Sequence, residues 1–282
     1  MRKALICFSL ALASVGTVYS QTLDPMVTDT TIREAPFEIP KEKKSSAYNS
    51  SPYLKNNIKI NLSSLLLNNY SFYYERMMTR KFSLSAGYRF MPDSRIGDIK
   101  AVNRIIDEFI PEEDLEDFSI KDGRMKNNAI TLEARYYLGK KPGARGFYFS
   151  AFGRYNNFKM ELPYSYDIDG TTEDMTMLPS FNSISGGLGF GAQWKLGSRM
   201  VLDLYILGAT YGGMNGKLKS NYSFSEFSAE EKQDFISTLE ENLQVNGHRY
   251  LDASITNNNF SGKLNGPVFG LRGLGLSLGV AF

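Results

Sequence analysis

At 282 residues, with 32 Lys and Arg against 30 Asp and Glu, the chain is close to neutral, and its mean hydropathy of -0.28 is ordinary for an exported or soluble protein. The charge balance excludes a nucleic-acid binder built on a basic surface, and a single cysteine, Cys7, excludes both a disulfide framework and a cysteine metal cluster. What stands out is 19 Phe, 17 Tyr and 25 Gly against one Trp, a composition suited to short aromatic strands with tight interior packing.

The amino terminus carries Arg2 and Lys3, an apolar run from Ala4 to about Val18, and Val18-Tyr19-Ser20 before Gln21. This predicts a cleaved signal peptide over residues 1–20, too short to span a membrane as a helix. Cleavage removes Cys7 and leaves 30 basic against 30 acidic residues. Residues 21–56 hold Pro25, Pro36, Pro40 and Pro52 with no hydrophobic period, and read as a flexible periplasmic leader.

From residue 57 to 282 the pattern is period two, interrupted by loops. The first strand is expected over Ile58 to Leu66, with Lys59 and Asn61 on the face opposite Ile58 and Ile60. The second, Tyr70 to Met78, sends Phe72 and Tyr74 one way and Ser71 and Glu75 the other. The third, Phe82 to Met91, opposes Leu84, Tyr88 and Phe90 to Ser83, Ser85 and Arg89. Residues 92–125 form a long loop in which Ile99, Val102, Ile106 and Phe109 fall at helical spacing, followed by the acidic run Glu112 to Asp117. The fourth strand, Ala129 to Leu138, sets Ile130, Leu132 and Tyr136 against Thr131, Glu133 and Arg135. The fifth, Phe147 to Phe158, turns Ser150, Arg154 and Asn156 inward together with Phe152. After a second loop, 160–181, the sixth strand alternates Ile184, Leu188, Phe190 and Trp194 with Ser185, Gly187, Gly189, Gly191 and Gln193. The seventh places Leu202, Leu204 and Ile206 opposite Asp203 and Tyr205. A third loop, 212–267, contains a capping box at Ser228-Ala229-Glu230-Glu231, which predicts a helix over 229–242 whose apolar stripe caps the nearby mouth. In the last stretch, Leu274, Leu276, Leu278, Val280 and Phe282 share one face, and Gly275, Ser277, Gly279 and Ala281 the other.

One large apolar face and one small or polar face on every strand fit a closed sheet with lipid outside. Connections after strands two, four and six are short and those after three, five and seven long, the asymmetry of periplasmic turns against extracellular loops. The fold class expected is therefore an all-β, eight-stranded antiparallel transmembrane β-barrel with long extracellular loops containing short helices. A soluble lipocalin-type calyx is the alternative, but it would put large apolar residues inside.

The inward ionisable residues are Lys59, Glu75, Arg89, Glu133, Arg135, Arg154 and Asp203. In a lumen only wide enough for side chains, they are expected to pair across it as a structural charge network; an ion pathway lined by the glycines of strands six and eight is the alternative. The glycine runs 186–191 and 270–279 keep period two within strands and are not phosphate loops. Asp167-Ile168-Asp169-Gly170 lacks the remaining ligands of a calcium loop and reads as a turn. His248, the sole histidine, lies in a loop rather than on a strand near the rim, where a catalytic histidine of a barrel enzyme would stand. No enzyme activity, cofactor or metal is expected.

The segment KINLSSLLLNNYSFYYERMMTRKFSLSAGYRF, residues 59–90, resembles the opening of an outer-membrane barrel family of Bacteroidetes-type bacteria without an assigned function, and the whole is similar to small OmpA-like and OmpX-like barrels. A terminal Phe likewise resembles the last strand of such barrels, which the insertion machinery reads. The resemblance implies outer-membrane location, with outer-membrane lipid and lipopolysaccharide, the barrel-assembly machinery through Phe282, and a surface or envelope protein as partners, and a role in surface contact or envelope integrity.

Overall fold

The protein is described by a computed structural model over residues 53–109, 119–168, 171–245 and 247–282. The signal-peptide segment, residues 21–52 of the leader, the acidic run 112–117 and the turn residues Asp169 and Gly170 lie outside the described residues. No described helix is long and apolar enough to cross a membrane.

The elements in order are β1 (Asn56–Asn61), a one-turn helix α1 (Leu62–Leu65), β2 (Tyr70–Met77), β3 (Phe82–Arg95), α2 (Lys100–Phe109), β4 (Arg124–Tyr137), β5 (Gly146–Ile168), β6 (Thr171–Leu196), β7 (Met200–Ser223), α3 (Ala229–Asn242), the short pair β8 (Gln244–Val245) and β9 (His248–Arg249), β10 (Leu251–Thr256), β11 (Asn259–Arg272) and β12 (Gly275–Ala281). Each of β1 to β7 pairs antiparallel with the next, β7 pairs with both β11 and β12, and β12 returns to β1 through Ile58↔Val280 and Ile60↔Leu278. Eight antiparallel strands thus close on themselves as a hydrogen-bonded ring, and no free edge remains in its lower part.

The sequence expectation is corrected at three places. β1 ends at Asn61, not Leu66, because the Asn61 side chain accepts from Ser64 N at 2.9 Å and starts α1. The expected loop 160–181 is largely strand: β5 and β6 run on as one long hairpin to Ile168↔Thr171. The expected loop 212–267 likewise contains the upper half of β7, all of β10 and most of β11, with α3 between them at the expected residues. The capping box is formed in both directions, Glu231 N donating to Ser228 Oγ at 3.2 Å and Ser228 N to Glu231 Oε2 at 2.6 Å.

These extensions escape a search for outward apolar residues because the chemistry of the two faces inverts along each strand. In the lower half of β5 the outward residues are Phe147, Phe149 and Tyr155, and the buried ones include Ser150, Arg154 and Asn156. Above, Asn157, Lys159 and Glu161 turn outward while Phe158, Met160, Leu162 and Tyr164 are buried. The same exchange occurs on β6, where Ile184 and Leu188, 69% and 70% exposed, give way to outward Asn182 and Ser180 over buried Phe181, Met177 and Met175.

The upper half therefore has polar residues outward over an apolar core. Phe224, Phe235 and Phe260 pack with ring centroids 5.0 to 6.3 Å apart, and Leu239, Leu251, Leu264, Ile96 and Ile106 join the same cluster. α3 contributes Phe235 and Leu239, so its apolar stripe lies against the neighbouring strands, and α2 contributes Val102 and Ile106. We refer to this half as the crown and to the lower half as the belt.

Candidate functional site

The belt interior is held by one buried network. Lys59 Nζ donates to Glu75 Oε2 at 2.8 Å, Gln193 Oε1 at 2.9 Å and Asp203 Oδ2 at 2.6 Å. Three donors meet three acceptors, which satisfies an ammonium fully. Glu75 Oε1 accepts from Ser83 Oγ and Tyr137 Oη, both at 2.6 Å, and Oε2 also accepts from Asn57 Nδ2. Asp203 Oδ1 accepts from Tyr148 Oη at 2.8 Å, and Arg135 bridges Asp203 Oδ2 at 2.6 Å to Glu133 Oε2 at 3.0 Å, its guanidinium 4.4 Å from the Tyr148 ring centroid. These contacts join β1 through β7 across the lumen. Burying ions is costly unless their partners are in place, and here Glu75 and Asp203 each receive several donors, while Glu133 is held through Oε2 by Arg135.

Of the seven inward residues read from the sequence, the structure brings Lys59, Glu75, Glu133, Arg135 and Asp203 into this network. Arg89 and Arg154 lie higher, donating to Asn156 Oδ1 at 3.3 Å and Thr131 Oγ1 at 3.0 Å. They surround a second region with Arg272, which the sequence reading missed. β7 carries one extra residue relative to β6, so pairs step from Phe190↔Leu207 to Gly191↔Tyr205. The inward positions of β7 accordingly change from Val201, Asp203 and Tyr205 to Gly208, Thr210 and Met214. β11 and β12 change phase with it at Gly273-Leu274, and Arg272 turns inward.

The glycine face of β6 is not the smooth open wall an ion pathway would need. A Cβ at Gly187 would meet Phe152 Cζ at 2.7 Å, one at Gly191 would meet Tyr148 Oη at 2.5 Å, and one at Gly189 would strike the Tyr205 hydroxyl. The glycines are spaces into which inward aromatic rings fit. Phe152, set inward by the sequence, stands between two cations, 5.7 Å from the guanidinium carbons of both Arg154 and Arg272. His248 meets only the edge of Tyr250 among ring contacts.

The outer surface carries a second ordered feature. Asn128 faces Asn157, Asn157 faces Asn182, Asn182 faces Asn215 and Asn215 faces Asn265, one row across β4, β5, β6, β7 and β11. Asn157 Nδ2 donates to Asn182 Oδ1 at 2.6 Å. Below the row the outward residues are apolar. Two positions above it a parallel row reads Lys126, Lys159, Ser180, Lys217 and Lys263, all but Ser180 exposed. Pro179 interrupts the β5–β6 ladder beside Met160 and opens a cleft lined by Lys126, Lys159 and Ser180, with Arg124 and Glu161 at its edge. Asp93 pairs with Arg124 at 2.9 Å and reaches Lys126 at 3.8 Å, and Asp252 faces Lys263.

Residues 44–245 match the family model described as a protein of unknown function, DUF3575. The chain belongs to the DUF3575 family. The match ends at Val245, so β9 to β12 lie beyond it, among them β12, which closes the ring between β7 and β1. Among solved structures this DUF3575 chain is similar to Acinetobacter baumannii CarO, at 12% identity and a TM-score of 0.40 over 81% of this chain and 97% of that one. It is also similar to Acinetobacter baumannii CarO2, at 12% identity and a TM-score of 0.36 over 81% and 98%. No curated protein matches it.

Proposed function

We propose that this DUF3575 protein is a non-enzymatic integral outer-membrane β-barrel of the small OmpX-like type, which holds its belt in lipid and presents its crown at the cell surface for contact with a partner. The observation that carries this reading is the inversion of inside and outside chemistry at one level across five adjacent strands. Below the asparagine row, Leu and Phe face out and ions face in; above it, Lys and Glu face out and Phe and Met face in. A single aqueous solvent cannot favour both halves, since each exposed Leu or Phe would cost about 1.5–3 kcal/mol relative to burial. From Ile130 to Leu138 the strand runs about 27 Å. At the ~40° tilt of a closed eight-stranded sheet this is about 20 Å, near the ~25 Å apolar band of outer-membrane barrels.

The lysine row extends the reading to lipid. Like charges directly opposite across strands are unfavourable, and Lys126 faces Lys159 as Lys217 faces Lys263. Phosphate groups of the outer leaflet, such as those of lipopolysaccharide, would lie at this height and supply the counter-charge. Phe282, exposed and paired through its backbone with Asn56 beside β12, would serve the assembly machinery. Cell fractionation tests the location: the reading expects recovery in the detergent-extracted envelope with heat-modifiable migration on a gel, and recovery in soluble periplasm or medium would sink it.

A further inference from the structure

Above the Lys59 network the interior becomes unbalanced in charge. The buried charged side chains of the described residues are five cations, Lys59, Arg89, Arg135, Arg154 and Arg272, and three carboxylates, Glu75, Glu133 and Asp203. Those carboxylates are drawn to Lys59 and Arg135 at the lower end. Arg89, Arg154 and Arg272 instead line a cavity of about 40 Å³ together with the neutral side chains of Asn61, Ser71 and Tyr73, and no acidic side chain lines it. The cavity lies where the wall is lowest. β1 has stopped at Asn61, and the β11–β12 break at Gly273-Leu274 forms part of the rim.

Arg272 gives the site its direction. Its guanidinium carbon sits 3.8 Å from the Tyr205 ring centroid, the residue is 8% exposed, and its buried Nη1 has no hydrogen-bond partner among the described residues. A stacked guanidinium with an edge left over is oriented to receive an anion through that edge. Leaving such a donor buried and unmet is unfavourable. Size limits the ligand. A water needs roughly 10–15 Å³ of such space, so this cavity takes a halide or a carboxylate group and excludes a nucleotide or a lipid.

We propose that the cavity is a binding site for a small monovalent anion, a halide or the carboxylate of a small molecule, held by Arg272 with Arg89 and Arg154. The site stands on the cavity, its arginine lining and the unmet Arg272 donor, and does not depend on the membrane reading.

The full chain folded in detergent, with the β-sheet circular dichroism of each variant matched to wild type, is titrated with sodium bromide while the bromide NMR line width is recorded. Wild-type protein is expected to broaden the line saturably, and Arg272→Gln to lower the affinity at least tenfold. Arg272→Lys, which keeps the charge and loses the fork, should fall between them. Sodium acetate is the second arm: reversal of the broadening supports a carboxylate site, and broadening that acetate leaves unchanged supports a halide site. If Arg272→Gln does not fold, Arg89→Gln is read in its place. Absence of saturable broadening in wild type, or broadening equal in wild type and the variants, would overturn the proposal.

Discussion

The residue with the most to lose is Lys59, whose three donors hold Glu75, Gln193 and Asp203. Lys59→Met leaves two buried carboxylates without their shared cation, and removal of one partner of a buried pair costs about 3–5 kcal/mol. Urea unfolding in detergent should show a loss of that order, and Lys59→Met combined with Glu75→Gln should recover part of it. A midpoint unchanged by Lys59→Met would mean the network contributes nothing. Space is equally limiting at Gly191, where a Cβ would stand 2.5 Å from Tyr148 Oη and displace the bond from Tyr148 to Asp203. Gly191→Ala is expected to cost about 1–3 kcal/mol by overpacking, read in the same assay. All seven ions were legible from alternation alone, because inward polar residues recur at every second position. Arg272 was not, since one extra residue in β7 shifts the frame and nothing in the composition marks it.

At the scale of elements, α3 was legible to its ends because a capping box and an apolar stripe are both local signals. The strand extensions were not. Period two continues through Met160, Leu162 and Tyr164, but with the large residues inward, so a frame that expects them outward reads a loop. The asparagines at 128, 157, 182, 215 and 265 mark each crossover, and carrying the alternation through them would have found the crown. The cap of α3 offers a test in solution conditions. Glu231 is held below the usual carboxylate range by the Ser228 backbone N–H and then by its side chain. A carboxylate depressed in the fold stabilises it above the unfolded pKa, near 4.3, and that contribution fades as pH falls through the folded value. Helical signal from α3 should therefore decline below about pH 4. Ser228→Ala, which removes the hydroxyl that accepts from Glu231 N, should cost about 1 kcal/mol, while Glu231→Gln, which removes the titrating carboxylate, should flatten that pH dependence; an identical acid profile in Glu231→Gln would exclude the capping box as its source.

The whole molecule joins two opposite arrangements in one closed sheet: a belt with its ions inside and a crown with its apolar core inside. The lower lumen is spanned by Lys59, Glu75, Arg135 and Asp203 with Tyr137 and Tyr148 beside them, so planar-bilayer recordings should show no steady large conductance. A stable open current would require this network to part. Whether the belt faces lipid can be read from the one tryptophan of the chain. Trp194 points outward from β6 in the belt, 42% exposed, and needs no labelling or mutation to report its surroundings. In vesicles made with chain-brominated phospholipid, a lipid-facing belt gives strong quenching of Trp194 emission and little quenching by aqueous acrylamide. Emission indifferent to brominated lipid and open to acrylamide would contradict it.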